Sequence, residues 1–409
     1  IKKFMSTVLY ITYYGLLDPL GMSQVWQYQK LLSKKHKIII ISYEKNHALK
    51  DKKKLARLEE EVFLNGVLWH KLTYHKKPSL VATIYDIVYG VIVATRLIKK
   101  HKIDFIHSRS YVPSIISLII NKITAIDYIF DMRGFWADEK IDGGAWKKNS
   151  FLYKAIKYIE CKILANASLV VTLTEAGKSD VESLPCMNAS DKLIQVIPTC
   201  ANLKIFKPSI GNNCDKSNSF LLGYVGSVGT FYLFDEVLES FIALMKYKKH
   251  AKLLIINVGQ HEYIKNILVS KNIDSKHVEL KSVDYNEVPI EINRMDAGIF
   301  YIKPSFSKRS SSPTKLAEFL GCGKPCLINF GIGDTASVVQ GENIGIVLKD
   351  FSKSEHTRGI IDLLGLMSDN ELKERCIDVA HRYYSLEEGV SAYDSLYSIL
   401  GSSPGYHAK

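Results

Sequence analysis

The stretch SFSKRSSSPTKLAEFLGCGKPCLIN, residues 305–329, is where the prediction of the fold begins. It predicts a loop, a short helix over 314–320, a turn, and a buried strand that starts near 326. Ser312 is a favourable N-cap, and Pro313 suits the first helical position, where its missing N–H costs nothing. Gly321 or Gly323 ends the helix, since glycine readily adopts the conformation that closes a helix C-terminus.

The start of this helix also predicts a phosphate site. Its first backbone N–H groups have no partner within the helix, and the helix dipole places partial positive charge there. Glu318 lies one turn further on, where a carboxylate can accept hydrogen bonds from hydroxyls such as those of a ribose. An ordinary capped helix with solvated lysines is the alternative. The cations and hydroxyls around the predicted phosphate are Lys308, Arg309, Ser310, Thr314 and Lys315.

Length and composition indicate a globular protein of two domains. The 409 residues suffice for two cores, and 47% hydrophobic with 23% charged residues exclude a disordered chain. The net charge of +12 lies in the N-terminal half: residues 1–200 hold 30 Lys plus Arg against 18 Asp plus Glu, and the remaining residues hold 24 of each class. This basic half predicts an anionic partner, which is a lipid surface, a phosphorylated acceptor or nucleic acid, with solubility as the plain alternative.

The apolar run LVATIYDIVYGVIVATRLI, residues 80–98, leaves three interpretations open. It is long enough to span a membrane, but Asp86, Gly90 and Arg96 interrupt it. Otherwise it is a largely buried helix of an α/β domain, or a helix that lies on a bilayer surface.

Strand and helix patterns alternate along the chain and predict two doubly wound parallel sheets with a cleft between them. Residues 198–219 hold two prolines and polar runs without periodicity, as is typical of a linker. The sequence therefore predicts an N-terminal domain at 1–200, a linker at 201–219, a second domain at 220–385, and a helix at 386–409 that packs back on the first domain. Residues 133–146 are predicted as a loop.

Ligands bind such sheets at the carboxyl ends of strands, so the residues that follow each strand are the candidates for a site. In the first domain, these are two glycines and a helix-capping serine after the first strand, and polar residues after two later strands. In the second domain, the turn GSVGTFY at 226–232 offers backbone amides to a phosphate. The candidates are Gly15, Gly21, Ser23, His107, Arg109, Asp131 and Arg133 in the first domain, and Gly226, Ser227, Gly229 and Thr230 in the second.

Four segments resemble those of retaining glycosyltransferases of the GT-B fold, family 4 (group 1). YYGLLDPLGMSQ, residues 13–24, resembles the family's first glycine loop. DMRGFWADEKIDGGAW at 131–146 and GYVGSVGTFY at 223–232 resemble loops of a bacterial branch. Residues 305–329 resemble the donor-site signature, in which a helix with a Glu runs into A-x-G-x-P-V. The matches follow the family's order across nearly the whole chain.

The resemblance implies transfer of a sugar, with retention at the anomeric carbon, from a UDP- or GDP-sugar and without a metal or other cofactor. The C-terminal domain would hold the nucleotide and the N-terminal domain the acceptor, which is a saccharide linked to a lipid. The reaction would serve a surface polysaccharide such as lipopolysaccharide or capsule, on the inner face of the cytoplasmic membrane and with no nucleic acid partner. The seven cysteines form no C-x-x-C pair, which agrees with a cytoplasmic location. Asp131 and Arg133 are expected at the reacting centre, and Glu318 on the ribose.

Three positions depart from the family's pattern. Ser310 stands where the E-x7-E motif has its first Glu, although Glu318 matches the second. The glycine-rich turn lacks the Arg and Lys that often hold the diphosphate, and Asp131 stands where many members have a His. These departures suggest that the phosphate is bound differently here, by the cations of the 305–329 stretch. The alternatives are a sugar-nucleotide epimerase of similar fold and a degenerate glycosyltransferase that only binds.

Overall fold

A computed structural model of the protein describes residues 5–188, 191–209 and 219–402. The chain forms two compact units, Ile1–Pro198 with Gly389–Lys409 and Thr199–Glu388. Each unit holds one parallel sheet, with helices between its strands. The predicted fold class of two doubly wound α/β domains is therefore confirmed. Residues 210–218 of the predicted linker, Cys214 among them, and residues 403–409 of the predicted terminal helix lie outside the described residues.

The first unit is built on a sheet of seven parallel strands. They are β1 (Thr7–Thr12), β2 (Lys37–Glu44), β3 (Leu68–Thr73), β4 (Phe105–Arg109), β5 (Asp127–Asp131), β6 (Leu169–Thr172) and β7 (Ile194–Val196). The strand order is β3-β2-β1-β4-β5-β6-β7, so the winding direction reverses between β1 and β4. The carboxyl ends of these two strands flank the point at which doubly wound sheets bind their ligands.

Helices connect these strands, and the predicted terminal helix joins the same unit. The terminal helix begins at Leu386, and its residues from Gly389 onward belong to the first unit. The helices are Pro19–Gly21, which continues through a π-helical turn at Met22–Trp26 into Gln27–Leu32, then Asn46–Lys50, Lys52–Leu64, Ser79–His101, Tyr111–Thr124, Trp136–Asp142, Phe151–Asn166, Glu175–Glu182 and Leu386–Ser402.

The second unit repeats the plan with six parallel strands. They are β8 (Leu221–Val225), β9 (Lys252–Ile256), β10 (Val278–Lys281), β11 (Ala297–Ile299), β12 (Cys326–Asn329) and β13 (Gly345–Leu348). Their order is β10-β9-β8-β11-β12-β13, which puts the reversal between β8 and β11. The connecting helices are Phe234–Tyr247, His261–Ser270, Val288–Arg294, Thr314–Gly321, Thr335–Gly341, Lys353–Leu366 and Leu372–Tyr384.

Buried β-branched and leucine side chains explain why these strands form where they do. All residues of β4 and β12 are buried, and β2 is buried along its length after Lys37. Such continuous burial is expected of parallel strands that are covered on both faces, and it produces apolar runs rather than alternation in the sequence. These apolar runs are the reason that two parallel sheets could be predicted from the sequence.

Two helix caps and one short helix were predicted incorrectly. The helix Thr314–Gly321 has Pro313 at its N-cap, and the Ser312 hydroxyl instead accepts a hydrogen bond from the amide of Thr199 at 3.1 Å. Ser23 lies inside a helical segment, where its hydroxyl donates to the carbonyl of Pro19 at 2.9 Å. The predicted loop at 133–146 contains the helix Trp136–Asp142. A helix of two turns carries too short a hydrophobic period to be recognised from sequence.

Candidate functional site

Two segments of the second unit that were predicted to bind phosphate lie against each other. The turn after β8 pairs with the segment after β11, since the amide of Lys303 donates to the carbonyl of Phe231 and that of Leu233 donates to the carbonyl of Tyr301. Lys308 Nζ lies 3.9 Å from the centroid of the Phe231 ring. The switch point of this sheet therefore brings the glycine-rich turn and the lysines of the 305–329 stretch together.

Lys315 is the central cation of this cluster. Its Nζ lies 4.1 Å from the centroid of the Tyr232 ring, and within the described residues it has no hydrogen-bond partner. A Cβ added at Gly226, whose φ is +122°, would lie 3.0 Å from this Nζ, so the glycine gives the ammonium its room. Burial lowers the pKa of Lys315 to about 7, although Glu318 opposes the shift. A buried ammonium without an acceptor is costly, and an anionic ligand would supply the missing partner.

Glu318 lies one helical turn after Lys315 and is buried with it. Burial raises the pKa of this carboxyl to about 7, and Lys315 reduces that rise. The two groups therefore both change protonation near neutral pH, and each depends on the charge of the other. Perturbed pKa values of this kind, at a sheet's switch point, are typical of functional sites.

The other residues of the 305–329 stretch that were predicted to bind phosphate differ in their burial. Ser310 is buried, and its hydroxyl has no hydrogen-bond partner within the part of the chain that the structure describes. Arg309 is exposed, and Thr314 is half-buried at the first position of the helix. Among the described residues, two buried polar groups of one segment, the Lys315 ammonium and the Ser310 hydroxyl, thus have no hydrogen-bond partner, which is unusual for the interior of a protein.

Asn257 and Gln260 hold the glycine-rich turn in place, and the sequence reasoning missed both. The Gln260 side chain accepts from the amide of Val228 at 3.0 Å and donates to its carbonyl at 2.9 Å. Asn257 Nδ2 donates to the carbonyl of Gly226 at 2.9 Å. These residues follow β9, the neighbour of β8, so the rule of strand ends would have found them. Within the turn, Gly229 and Thr230 have φ values of +82° and +55°, and Ser227 is exposed.

In the first unit, four predicted residues meet around one carboxylate at the ends of β4 and β5. Asp131 Oδ2 lies 3.5 Å from both His107 Nε2 and Arg109 Nη1, and Asp131 Oδ1 lies 3.7 Å from Arg133 Nη1. Burial by itself would raise the pKa of Asp131, but Arg133, His107 and Arg109 together lower it to about 2. A carboxylate with so low a pKa is a weak base at neutral pH, and it is well suited to holding two guanidinium groups in position.

Tyrosines of the terminal helix complete this cluster. Tyr393 donates to Asp131 Oδ2 at 3.1 Å, and the Tyr397 hydroxyl lies 2.7 Å from His107 Nδ1. Burial lowers the pKa of His107 below its usual value in spite of Asp131, so the imidazole is neutral at pH 7. No local sequence pattern predicts these two contacts, because each joins residues more than 250 positions apart.

Strained backbone marks the same strand ends. Arg133 has φ = +59°, and Ser110, directly after Arg109, has φ = +70° with ψ = −174°. Non-glycine residues pay for such conformations, which persist where the surrounding structure fixes them and which are concentrated at functional sites. The backbone at the ends of β4 and β5 is therefore held in an unfavourable conformation where the charged side chains meet.

The glycine loop after β1 encloses a carboxylate that belongs to the protein itself. Glu44, the last residue of β2, accepts from the amides of Leu16 at 2.7 Å and Leu17 at 3.2 Å. A Cβ at Gly15 would lie 2.3 Å from Glu44 Oε2, and a Cβ at Gly21 would lie 1.9 Å from the carbonyl oxygen of Gly15. Both glycines thus permit close contacts within the loop. The loop was predicted to bind a ligand, but its amides at Leu16 and Leu17 instead donate to Glu44.

The two parallel sheets and their strand order define a two-domain α/β protein of the GT-B fold. The chain is similar to a crystal structure of a glycosyltransferase from Rickettsia africae, with 16% identity, a TM-score of 0.69 and coverage of 97% of this chain and 99% of the other. The chain is also similar to HepE from Anabaena, crystallised with UDP and glucose. Here the identity is 12% and the TM-score 0.68, with coverage of 96% of this chain and 99% of the other. A third similar structure is WaaG, a glycosyltransferase involved in lipopolysaccharide biosynthesis. Its identity to this chain is 16% and the TM-score is 0.60, with coverage of 94% of this chain and 99% of the other.

No protein-family model matches the sequence, and no curated protein matches it. At 12–16% identity the structural likeness establishes the fold. The chemistry must therefore be argued from the side chains of this chain.

Proposed function

We propose that the protein is a retaining glycosyltransferase of the family 4 type that uses a nucleotide diphosphate sugar as donor. The observation that carries the proposal is the buried Lys315 ammonium, which lacks a hydrogen-bond partner within the described residues and lies against the glycine-rich turn. A diphosphate supplies the acceptor atoms that this ammonium lacks. The UDP in the HepE structure supports a UDP-sugar as donor, with a GDP-sugar as the alternative.

The proposed roles in the second unit follow from charge. In the transfer, the bond between the anomeric carbon and a diphosphate oxygen breaks, and its electron pair leaves with the diphosphate. Lys315 and Lys308 stabilise this developing charge, and their burial strengthens the interaction relative to water. The carboxylate of Glu318 accepts hydrogen bonds from the ribose hydroxyls and fixes the nucleoside. This arrangement replaces the Arg and Lys that the glycine-rich turn lacks, and it requires no metal ion.

The proposed roles in the first unit concern the acceptor. Arg109 and Arg133 donate to acceptor oxygens, and Asp131 holds the two guanidinium groups while it stays ionised. Neutral His107 lies beside them. The acceptor hydroxyl oxygen forms the new bond to the anomeric carbon, and its proton passes to the departing diphosphate oxygen. The basic half of the chain and the role of WaaG in lipopolysaccharide synthesis support a lipid-linked saccharide acceptor on the cytoplasmic face of the membrane.

The test is incubation of the full chain with UDP- and GDP-sugars, with and without lipid-linked saccharide acceptors, followed by chromatography and NMR. We expect release of the nucleoside diphosphate and a product that keeps the anomeric configuration of the donor. The same rate is expected after treatment with EDTA, since the cations of the site are lysines. An isomerised donor without transfer would show an epimerase instead, and binding without turnover would show a degenerate glycosyltransferase. An inverted product would contradict the retaining mechanism.

A further inference from the structure

The helix Ser79–His101 exposes an apolar stripe on the surface of the first unit. Its exposed members repeat at intervals of three and four residues, so they share one face of the helix. Each of these residues is between 43% and 64% exposed. Contiguous exposed apolar patches of this kind mark interaction sites on soluble proteins. The stripe consists of Leu80, Val81, Ile84, Tyr85, Val88, Tyr89 and Ile92.

Two of the three interruptions of this helix, Asp86 and Gly90, lie on its opposite face, where they attach it to the unit. Asp86 is buried and accepts from the Tyr13 hydroxyl at 2.7 Å, and its second oxygen lies 2.6 Å from His75 Nδ1. A Cβ at Gly90 would lie 2.3 Å from the hydroxyl of Tyr43, which donates to the backbone carbonyl of Asp86. The helix is long and apolar enough to cross a bilayer, but these bonds hold it against the sheet.

Positive charge lies at both ends of the stripe. Lys76 and Lys77 precede the helix, and Lys99 and Lys100 occupy its last turn, all four exposed. Asp86 is the single acidic residue of the helix, and it is buried. The exposed face thus combines large apolar side chains with flanking lysines, as amphipathic helices do when they lie in the headgroup region of an anionic bilayer.

We propose that this face, residues 80–92 with the flanking lysines, docks on the surface of an anionic lipid bilayer. Leu80 and Ile92 are twelve residues apart, so the stripe extends for about 18 Å along the helix axis. Two of its members are tyrosines, which favour the boundary between headgroups and acyl chains. The proposal deepens the proposed function and rests on it for the lipid-linked acceptor.

The test is co-sedimentation of the full chain with vesicles of phosphatidylglycerol and phosphatidylethanolamine, compared with vesicles of phosphatidylcholine. We expect tight binding to the anionic vesicles that weakens in high salt. The triple variant V81Q/I84Q/V88Q should bind them at least tenfold less tightly. A matched variant, V269Q/I290Q/I361Q, changes three exposed apolar residues of the second unit and should bind as the unmodified chain does. K99Q/K100Q should lose several-fold in affinity for anionic vesicles only.

Equal vesicle binding by the unmodified chain and by V81Q/I84Q/V88Q would overturn the proposal. So would a dimer in sedimentation velocity that this variant dissociates, without any vesicle binding, because the face would then bind a second copy of the chain. Sedimentation needs no turnover, and nucleotide binding by the same variant can be measured in parallel. Failure of the docking proposal is thus distinguishable from failure of the proposed glycosyl transfer.

Discussion

Replacing Lys315 with methionine separates a binding role from a structural one, because the two roles have opposite signs. Methionine keeps the length and apolar stem of the side chain and removes the ammonium. If the ammonium binds diphosphate, its loss removes one charge-assisted hydrogen bond of about 1.5–3 kcal/mol. We expect the affinity for UDP or GDP to fall by a factor of about 10–100, since about 1.4 kcal/mol corresponds to tenfold.

The same substitution should stabilise the free protein. The pKa of Lys315 is lowered to about 7, so the unfolded chain binds this proton more tightly than the folded chain does. The resulting destabilisation is complete below about pH 7 and disappears as the pH rises toward 10.5, with a limit of about 5 kcal/mol. Glu318 loses its favourable neighbour in the variant, which offsets part of the gain. We therefore expect the free energy of unfolding at pH 7 to rise by about 2 kcal/mol.

Two measurements check this reasoning: titration calorimetry with UDP and GDP, and urea unfolding followed by circular dichroism. Lys246→Met, at an exposed lysine of the same unit, is the matched control and should change neither quantity. Unchanged nucleotide affinity in the Lys315→Met variant would remove Lys315 from the site. A loss of stability would show instead that the ammonium has a structural role.

Three further outcomes follow from the charges of the two sites. Glu318→Ala should bind UDP about tenfold more weakly than the unmodified chain and should no longer distinguish UDP from its 2′,3′-dideoxy analogue, as competition binding would show; continued discrimination would place the ribose elsewhere. The second outcome is measured by calorimetry in buffers of different ionisation enthalpy. UDP binding should be accompanied by proton uptake in Glu318→Gln, because the phosphate raises the pKa of Lys315, and by proton release in Lys315→Met. The same sign in both variants would contradict the paired titration. Asp131→Asn should lose about 3–5 kcal/mol of unfolding free energy at pH 7, and much less near pH 2, since the stabilisation from a carboxylate of pKa about 2 is lost as the pH falls below about 4; Asp378→Asn, at an exposed aspartate, is the control, and an equally small effect at both sites would refute the ion cluster.

Much of the fold could be predicted because its elements are encoded locally. The helix predicted over 314–320 and the strand predicted to start near 326 are observed at Thr314–Gly321 and at β12 (Cys326–Asn329). Apolar runs and helical periods reflect hydrogen bonds and burial within a few residues of the chain. The short helix Thr335–Gly341 and the strand β13 were not recognised, because glycines interrupt the local pattern there.

The 305–329 stretch shows the same division between local and distant information. The sequence predicted the helix, its lysines and Glu318, because these depend on spacing along one segment. It placed the helix N-cap wrongly, since the Ser312 hydroxyl is engaged by Thr199, which is 113 residues away. Which lysine becomes the buried cation beside Gly226 also depends on a turn that lies far away in sequence.

The sequence by itself determined two doubly wound sheets, the strand ends at which chemistry can occur, and the residue types available there. Only the tertiary structure placed Lys315 against Gly226, inserted Glu44 into the glycine loop, and brought Tyr393 to Asp131. The physical reason is that helices and strands arise from interactions between near neighbours. A cluster of buried charges instead depends on which distant segments the two sheets bring together, and on how much water those segments exclude.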